Sequence, residues 1–345
     1  MIFFSHDLGV DLGTSNVLIY VEGKGVVVRE PSVVAVDKNT GNILEVGAAA
    51  RNMLGRTPGN VVAMHPLKDG VISDHEMTVR MLQALFRKAI KGSFLNPKPR
   101  VVVCVPSGVT EVEERTVINA AVEAGARRVY LIEEPLAAAL GANLDIKGPN
   151  GHMVVDIGGG TTDIAVLSLN GVAASSSIEV AGDAFDEAIG RYVRRKHGVI
   201  IGQVTAEDIK IQIGCVYPRP QDISMNIKGR DAKTGMPRDI TLLSSEIFEV
   251  LRRPARQITD EVLSVLEETS PELVADISEN GITLTGGGSQ IWGMDALLQE
   301  RTDIACTLSD NPASCVAFGC GKSLSWMNHM KEGPINIARR RIMRG

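Results

Sequence analysis

Two aspartates, Asp11 and Asp156, occupy matching places in a short pattern that the chain carries twice, about half a sequence apart. The copies read Gly9-Val10-Asp11-Leu12-Gly13-Thr14-Ser15-Asn16 and Val155-Asp156-Ile157-Gly158-Gly159-Gly160-Thr161-Thr162-Asp163. In each, an apolar strand ends at Asp, a Gly/Thr/Ser turn follows, and a second apolar strand leaves it (Val17 to Val21, Ile164 to Leu169). A glycine turn exposes backbone N–H groups and lets the chain come close to an anion, while the Asp can hold a divalent cation or its water shell. Two such turns facing each other would clamp the phosphates of a Mg-nucleotide.

A third cluster, Thr285-Gly286-Gly287-Gly288-Ser289, follows an apolar strand and opens a helix. Backbone N–H groups and the helix dipole there favour an anion or a closely packed nucleoside. Alone, three glycines at such a turn serve structure as readily as binding. Gly319-Cys320-Gly321-Lys322-Ser323 imitates the end of a Walker A loop, but the upstream glycine position holds Val316 and the segment reads as helix, so no P-loop is expected.

The elements that must position these turns alternate between strand and helix. Strands at about 7–12, 16–21 and 25–29 form a meander, followed by a helix near 76–91, the strand Arg100 to Val105, a helix near 110–124, the strand Arg128 to Ile132 and a helix from Pro135. The second half repeats the plan: strands near 152–157, 162–168 and 172–180, helices near 183–197 and 245–268, the strand Gly281 to Thr285 and a helix near 290–299. Duplication at this scale predicts two similar α/β domains joined near Asn143 to Gly151, with a ligand cleft between them. Residues near 33–65 and 199–243 interrupt the plan and read as inserted subdomains. The second carries strand-like runs (Asp222 to Lys228, Arg238 to Leu242) around a turn region at Gly229 to Gly235.

At 345 residues the chain exceeds one ordinary core, and 44% hydrophobic with 22% charged residues is the balance of a soluble globular protein. A net charge of −5 with no broad basic, aromatic-interleaved surface argues against a nucleic-acid partner. No apolar run reaches the roughly 18 residues that span a bilayer, and the start lacks the basic region and cleavage site of a signal peptide, so the cytoplasm is the expected location. Cys104, Cys215, Cys306, Cys315 and Cys320 are scattered without a CxxC pair, as expected of reduced, mostly buried thiols.

The duplicated plan and its three glycine turns resemble the superfamily of actin, Hsp70 and sugar kinases. Within it, Asp11-Leu12-Gly13-Thr14, Pro66 to Ile72 (PLKDGVI), Val105 to Glu113 (VPSGVTEVE), Ile132 to Ala139 (IEEPLAAA), Ile227 to Asp231 (IKGRD) and Leu284 to Gly288 (LTGGG) are similar to the MreB family of bacterial actins, over about residues 5–328. The resemblance implies an α/β, actin-like fold: two duplicated ribonuclease-H-like domains, each with an inserted subdomain, and a nucleotide in the cleft between them. Domain I would span 1–144, as subdomain IA with IB inserted at about 33–65 and a helix at 312–328 packing back onto IA. Domain II would span 145–311, as IIA with IIB inserted at about 183–243, and 329–345 would form a tail.

It also implies roles. Asp11 and Asp156 would hold hydrated Mg2+, and the N–H groups of Gly13, Thr14, Ser15 and Asn16 and of Gly158, Gly159, Gly160 and Thr161 would cradle the phosphates of ATP or ADP. Glu134, with Thr161, would orient the attacking water. From the residues alone Glu134 serves equally well as a carboxylate complementing a helix N-terminus. Glu207 and Lys210 resemble the family's ribose and adenine contacts, or form a solvated i,i+3 pair. Gly182 would lie beside the phosphates, Gly286, Gly287 and Gly288 beside the nucleoside, and Asp186 on the helix surface.

In function the resemblance implies a cytoskeletal ATPase that polymerises with itself into antiparallel double protofilaments, helps determine cell shape by organising cell-wall elongation machinery, and hydrolyses ATP slowly as a timer. A small-molecule kinase of the superfamily would need a catalytic Asp at an acceptor site, for which no residue is as clear as Glu134. A chaperone-type module would continue into a peptide-binding domain. The family attaches to the inner face of the cytoplasmic membrane through an apolar loop, here Phe94 and Leu95, whose alternative is packing on the protein's own core. Phe3 and Phe4 are a further candidate, and Arg339 to Arg341 with Arg344 would attract anionic lipid or form a solvated end.

Overall fold

The structure is a computed structural model that describes residues 7–90, 98–329 and 335–336. Two mixed sheets carry its two halves. In the first, β1 (Leu8–Leu12), β2 (Asn16–Val21) and β3 (Gly25–Pro31) form an antiparallel meander, and β4 (Arg100–Val105) and β5 (Arg128–Glu133) extend it in parallel from β1. In the second, β6 (His152–Ile157), β7 (Thr162–Ser168) and β8 (Gly171–Ile178) repeat the meander, and β9 (Ile282–Thr285) and β10 (Cys306–Leu308) extend it from β6. The spatial orders β5-β4-β1-β2-β3 and β10-β9-β6-β7-β8 are thus equivalent, and the pair Ile335–Asn336 adds to the outer edge of β5. This is the duplicated actin-like plan. Its central strands are apolar on both faces because helices cover both, so Val10, Ile19, Val155 and Ile164 are fully buried.

Flanking helices begin where the sequence supplies caps. Asp74 accepts the Met77 N–H at 3.0 Å ahead of His75–Ala89, and Thr110 with Glu113 forms a capping box ahead of Glu111–Glu123. The helix read over 183–197 is an α-helix, Gly182–Tyr192, closing in a π-helical turn, Val193–His197. The one read near 290–299 starts later, at Met294, because Gly288–Gln290 is a 3₁₀ turn.

The sheets are joined by a shared core. Val102, Cys104 and Ile132 from the first and Val154, Ala165 and Leu167 from the second pack around the helices Glu134–Gly141 and Cys315–Ser323. These helices touch through glycine: a Cβ on Gly319 would lie 1.7 Å from the Ala137 carbonyl oxygen. The Walker-like segment therefore builds a helix contact, and Lys322 Nζ donates to the Leu140 carbonyl at 2.5 Å, capping the neighbouring helix.

Residues Val34–Asp37, Ile43–Val46 and Val61–Met64 form a small sheet in the first interruption, with the short helix Ala48–Arg51. The second holds the helix Gln203–Ile213 and a sheet of Val199–Ile200, Ser224–Asp231 and Pro237–Leu243. The expected turn at Gly229 is instead strand. Gly229 pairs with Arg238, and a Cβ there would fall 2.3 Å from the Val199 side chain, so this glycine admits the neighbouring strand.

Candidate functional site

β1 and β6 run side by side with strands that turn back on them, so both Asp-turn motifs emerge at the same end of their sheets. Each turn closes on itself: the Gly13 N–H donates to the Asn16 carbonyl at 3.1 Å, and the Gly158 N–H to the Thr161 carbonyl at 2.9 Å. The two turns also meet. A Cβ on Gly159 would lie 2.0 Å from Ser15 Oγ, and one on Gly160 would lie 2.6 Å from Thr14 Oγ1. Only glycine permits this approach. Thr14 Oγ1 accepts the Gly70 N–H at 2.9 Å, and the Asp183 N–H donates to the Gly159 carbonyl at 2.8 Å, which fixes the turns to their surroundings.

The turns open onto a cleft of about 540 Å3, within the range of small-molecule sites. Asp11, Glu134, Asp156, Thr161, Gly182, Glu207, Lys210 and the Gly286–Gly288 turn line it together with both phosphate-type turns. Residues singled out across most of the sequence thus face one cavity. Gly286, at φ +83, is packed so that a Cβ would lie 2.4 Å from Asp156 Oδ1. The third turn therefore abuts the second.

The floor of the cleft is acidic. Burial raises the Asp11 carboxyl to about 6 against the opposing pull of the Cys104 thiol, which donates to it at 3.5 Å, and of Arg29. Burial, then Asp163 and Asp11, raise Asp156 to about 8, and its Oδ1 is buried without a hydrogen-bond partner. Burial followed by Asp163, Asp156 and Asp11 holds Glu134 well above the usual carboxylate range. A carboxylate serving only a helix N-terminus would be drawn the other way. An orphaned buried carboxylate oxygen beside a second acid suits a hard cation with oxygen ligands. Mg2+ shared with phosphates needs only one or two carboxylates, and no group of three or more potential ligands occurs among the described residues.

Lys210 and Glu207 do not pair with each other. Lys210 Nζ donates to Asp186 Oδ2 at 2.8 Å and to the Gly182 carbonyl at 3.1 Å. Asp186, expected on the helix surface, is buried because this lysine reaches it from the facing helix. Glu207 pairs with Arg51 across the two interruptions of the plan.

Other cleft residues were not apparent in the sequence. Arg29 lines the cleft because register aligns it with Leu18, which in turn faces Asp11. Asp163 lies opposite Asp156 by the same kind of register, and its Oδ1 accepts the Ser107 N–H at 2.8 Å. Ile211, Arg219 and Trp292 line the cleft as well. Their only sequence signal was closeness to the predicted Lys210 and Gly288. Phe94, Leu95, Phe3, Phe4 and the terminal arginines lie outside the described residues. No described helix is long and apolar enough to cross a membrane, and all five cysteines are free and buried.

A family profile described as MreB/Mbl protein matches residues 5–332. The chain is 51% identical over 329 residues to the cell shape-determining protein Mbl of Bacillus cereus, covering 95% of this chain and 98% of that protein. It is 50% identical to the cell shape-determining protein MreB of Escherichia coli K12, covering 94% and 95%. Its fold is similar to that of MreB5 of Spiroplasma citri bound to AMPPNP, with a TM-score of 0.88 at 40% identity over 93% of this chain and 96% of that one. The same protein bound to ADP gives 0.89 at 39%, over 94% and 98%.

Proposed function

The chain belongs to the MreB/Mbl family, and from that premise we propose that it binds Mg-ATP in the cleft and polymerises into membrane-associated filaments as an actin-like, cell shape-determining cytoskeletal protein. The observation that carries the nucleotide reading is the meeting of two glycine turns above a floor of Asp11, Asp156 and Glu134, where burial and mutual repulsion raise Asp156 and Glu134. The relatives solved with AMPPNP and ADP support it.

In this reading the N–H groups of Gly13 to Asn16 and of Gly158 to Thr161 bind the phosphates, and Asp11 and Asp156 hold Mg2+. When bound, the ion neutralises charge on the phosphate oxygens. Lys210, tied to the Gly182 carbonyl, keeps positive charge beside the second turn. A carboxylate oxygen of Glu134 accepts the proton of the attacking water, which the Thr161 hydroxyl helps to orient. The Cys104 sulfur lies between the two carboxyls, 3.5 Å from Asp11 Oδ1 and 3.8 Å from Glu134 Oε1. Hydrolysis is slow and serves filament turnover. Domain I spans 1–144 and domain II 145–311, closing on the nucleotide. The protein works at the inner face of the cytoplasmic membrane through Phe94 and Leu95, with the cell-wall elongation machinery as partner.

The test is electron microscopy of purified protein with Mg-ATP on anionic and neutral lipid monolayers. Paired filaments on anionic lipid support the reading. Dispersed monomers on both surfaces, with Mg-ATP bound, would return attention to the superfamily's kinases.

A further inference from the structure

One charged group in the cleft has no task in the glycine turns or in the acidic floor. Arg29 stands on β3 opposite Leu18 of β2, and Leu18 stands opposite Asp11 of β1. Cross-strand partners share a face, so Arg29 rises from the same side of the sheet as Asp11, two strand spacings or about 10 Å away. Burial dominates the Asp11 carboxyl, and Arg29, after the Cys104 thiol, pulls against it, so the guanidinium reaches back toward the first turn. It lines the cleft, and its side chain is exposed there rather than packed away.

A single contact aims the guanidinium. Arg29 Nη2 donates to Ser314 Oγ, and among the described residues this is the side chain's one hydrogen bond. Ser314 is buried and held: its N–H donates to the Asn311 carbonyl at 2.9 Å, while the Pro312 carbonyl accepts the Gly286 N–H at 2.9 Å. The anchor is thus tied to the third glycine turn. Because the hydroxyl is neutral, Arg29 keeps its charge and has further N–H donors to offer. The other two cations that line the cleft are committed. Lys210 is held by Asp186 and the Gly182 carbonyl, and Arg219 lies against Trp292 and donates to the Gly214 carbonyl. Asp11, Glu134, Asp156 and Glu207 line the same cavity, so an entering polyphosphate meets more acids than bases, and Arg29 is the cation free to offset them.

We propose that Arg29, aimed by Ser314, is a phosphate-binding residue of this chain that adds a charge to the backbone cradle and so retains the diphosphate. This role rests on the nucleotide reading above and deepens it by naming a side chain that lies outside both turns. A guanidinium offers a planar fork of donors that matches phosphate oxygens in pairs, and its charge makes each such hydrogen bond stronger than a neutral one. Ser314 does not line the cleft and acts only through Arg29, as a positioning residue.

The experiment is isothermal titration of Mg-ADP into wild-type, Arg29→Gln, Arg29→Lys, Ser314→Ala and the double variant Arg29→Gln with Ser314→Ala, at low and high salt, with melting temperatures taken without nucleotide. Arg29→Gln is expected to bind Mg-ADP about tenfold more weakly at low salt, a loss that shrinks as salt screens the charge. Arg29→Lys keeps the charge without the fork and is expected to lose about threefold. Ser314→Ala is expected to lose about threefold alone and nothing further once Arg29 is replaced. A loss below about twofold in folded Arg29→Gln overturns the assignment, as does a loss of equal size at both salts, which marks a structural effect. If Ser314→Ala weakens the Arg29→Gln protein as much as it weakens wild type, the positioning role is overturned. Should Arg29→Gln fail to fold, Arg29→Lys and Ser314→Ala decide the matter: losses near threefold support the assignment, and unchanged affinity in both overturns it. A wild type that does not bind Mg-ADP at either salt instead overturns the nucleotide reading beneath it.

Discussion

The Arg51–Glu207 ion pair crosses from the first inserted lobe to the helix Gln203–Ile213 of the second, so it must break or stretch whenever these lobes separate. Arg51 does not line the nucleotide cleft, and it lies instead beside a smaller cavity of about 240 Å3 between the lobes. Arg51→Ala therefore tests closure without touching the ligand. The side chains are 33% and 31% exposed, so solvent screens the pair and its worth is at most about 1 kcal/mol. One kcal/mol is a factor of about five in an equilibrium. If release of a fluorescent ADP analogue requires lobe opening, Arg51→Ala should release it faster at low salt, by up to about fivefold. The difference should shrink as ionic strength rises and the Debye length falls to about 3 Å at 1 M. Stopped-flow displacement measures this directly, and the charge-reversed pair Arg51→Glu with Glu207→Arg should recover part of the slow release. A release rate within 1.5-fold of wild type at low salt, in protein of unchanged melting temperature, would refute the latch.

Three further outcomes follow from the same geometry. Glu134→Gln should lower ATP hydrolysis by about 100-fold or more while changing ADP affinity by only a few-fold, and steady-state phosphate release at saturating ATP checks it. Asp156 is raised from 3.8 to about 8 in the folded protein, so between those values the native state keeps a proton that the unfolded chain gives up. Its contribution is fully favourable below pH 3.8 and is lost as pH rises toward 8. Asp156→Asn removes this term, so in EDTA without nucleotide the variant's melting temperature should gain on wild type between pH 5 and pH 8, and a constant difference would sink the idea. Gly319→Ala places a methyl 1.7 Å from the Ala137 carbonyl and must part the two central helices. It should cost at least 1–3 kcal/mol, read as a lower denaturation midpoint, whereas Gly148→Ala, with open space around it, should not.

The repeat of Asp followed by a Gly/Thr/Ser turn determined the plan of the molecule, because strand, turn and glycine preferences act over a few residues and are written locally. The strands Arg100–Val105 and His152–Ile157 fall where the apolar runs lie, and the residues singled out from the turns line one cleft. The local code failed where a glycine served a neighbour rather than a turn, as at Gly229, and where a partner arrived from elsewhere. Asp186 is buried only because Lys210 meets it from another helix. Arg29 and Asp163 enter the site through strand register, which depends on the packing of whole sheets. Arg51 reaches Glu207, and Arg219 reaches Trp292, across 156 and 73 residues of chain, a juxtaposition that only the assembled lobes supply. Sequence determined the glycine turns and the carboxylates Asp11, Glu134 and Asp156 that the cleft would hold. Tertiary structure decided which of them are paired, which carboxyls are buried against one another, and which aromatic surface stays open, because those depend on non-local contacts that form only when both halves have folded.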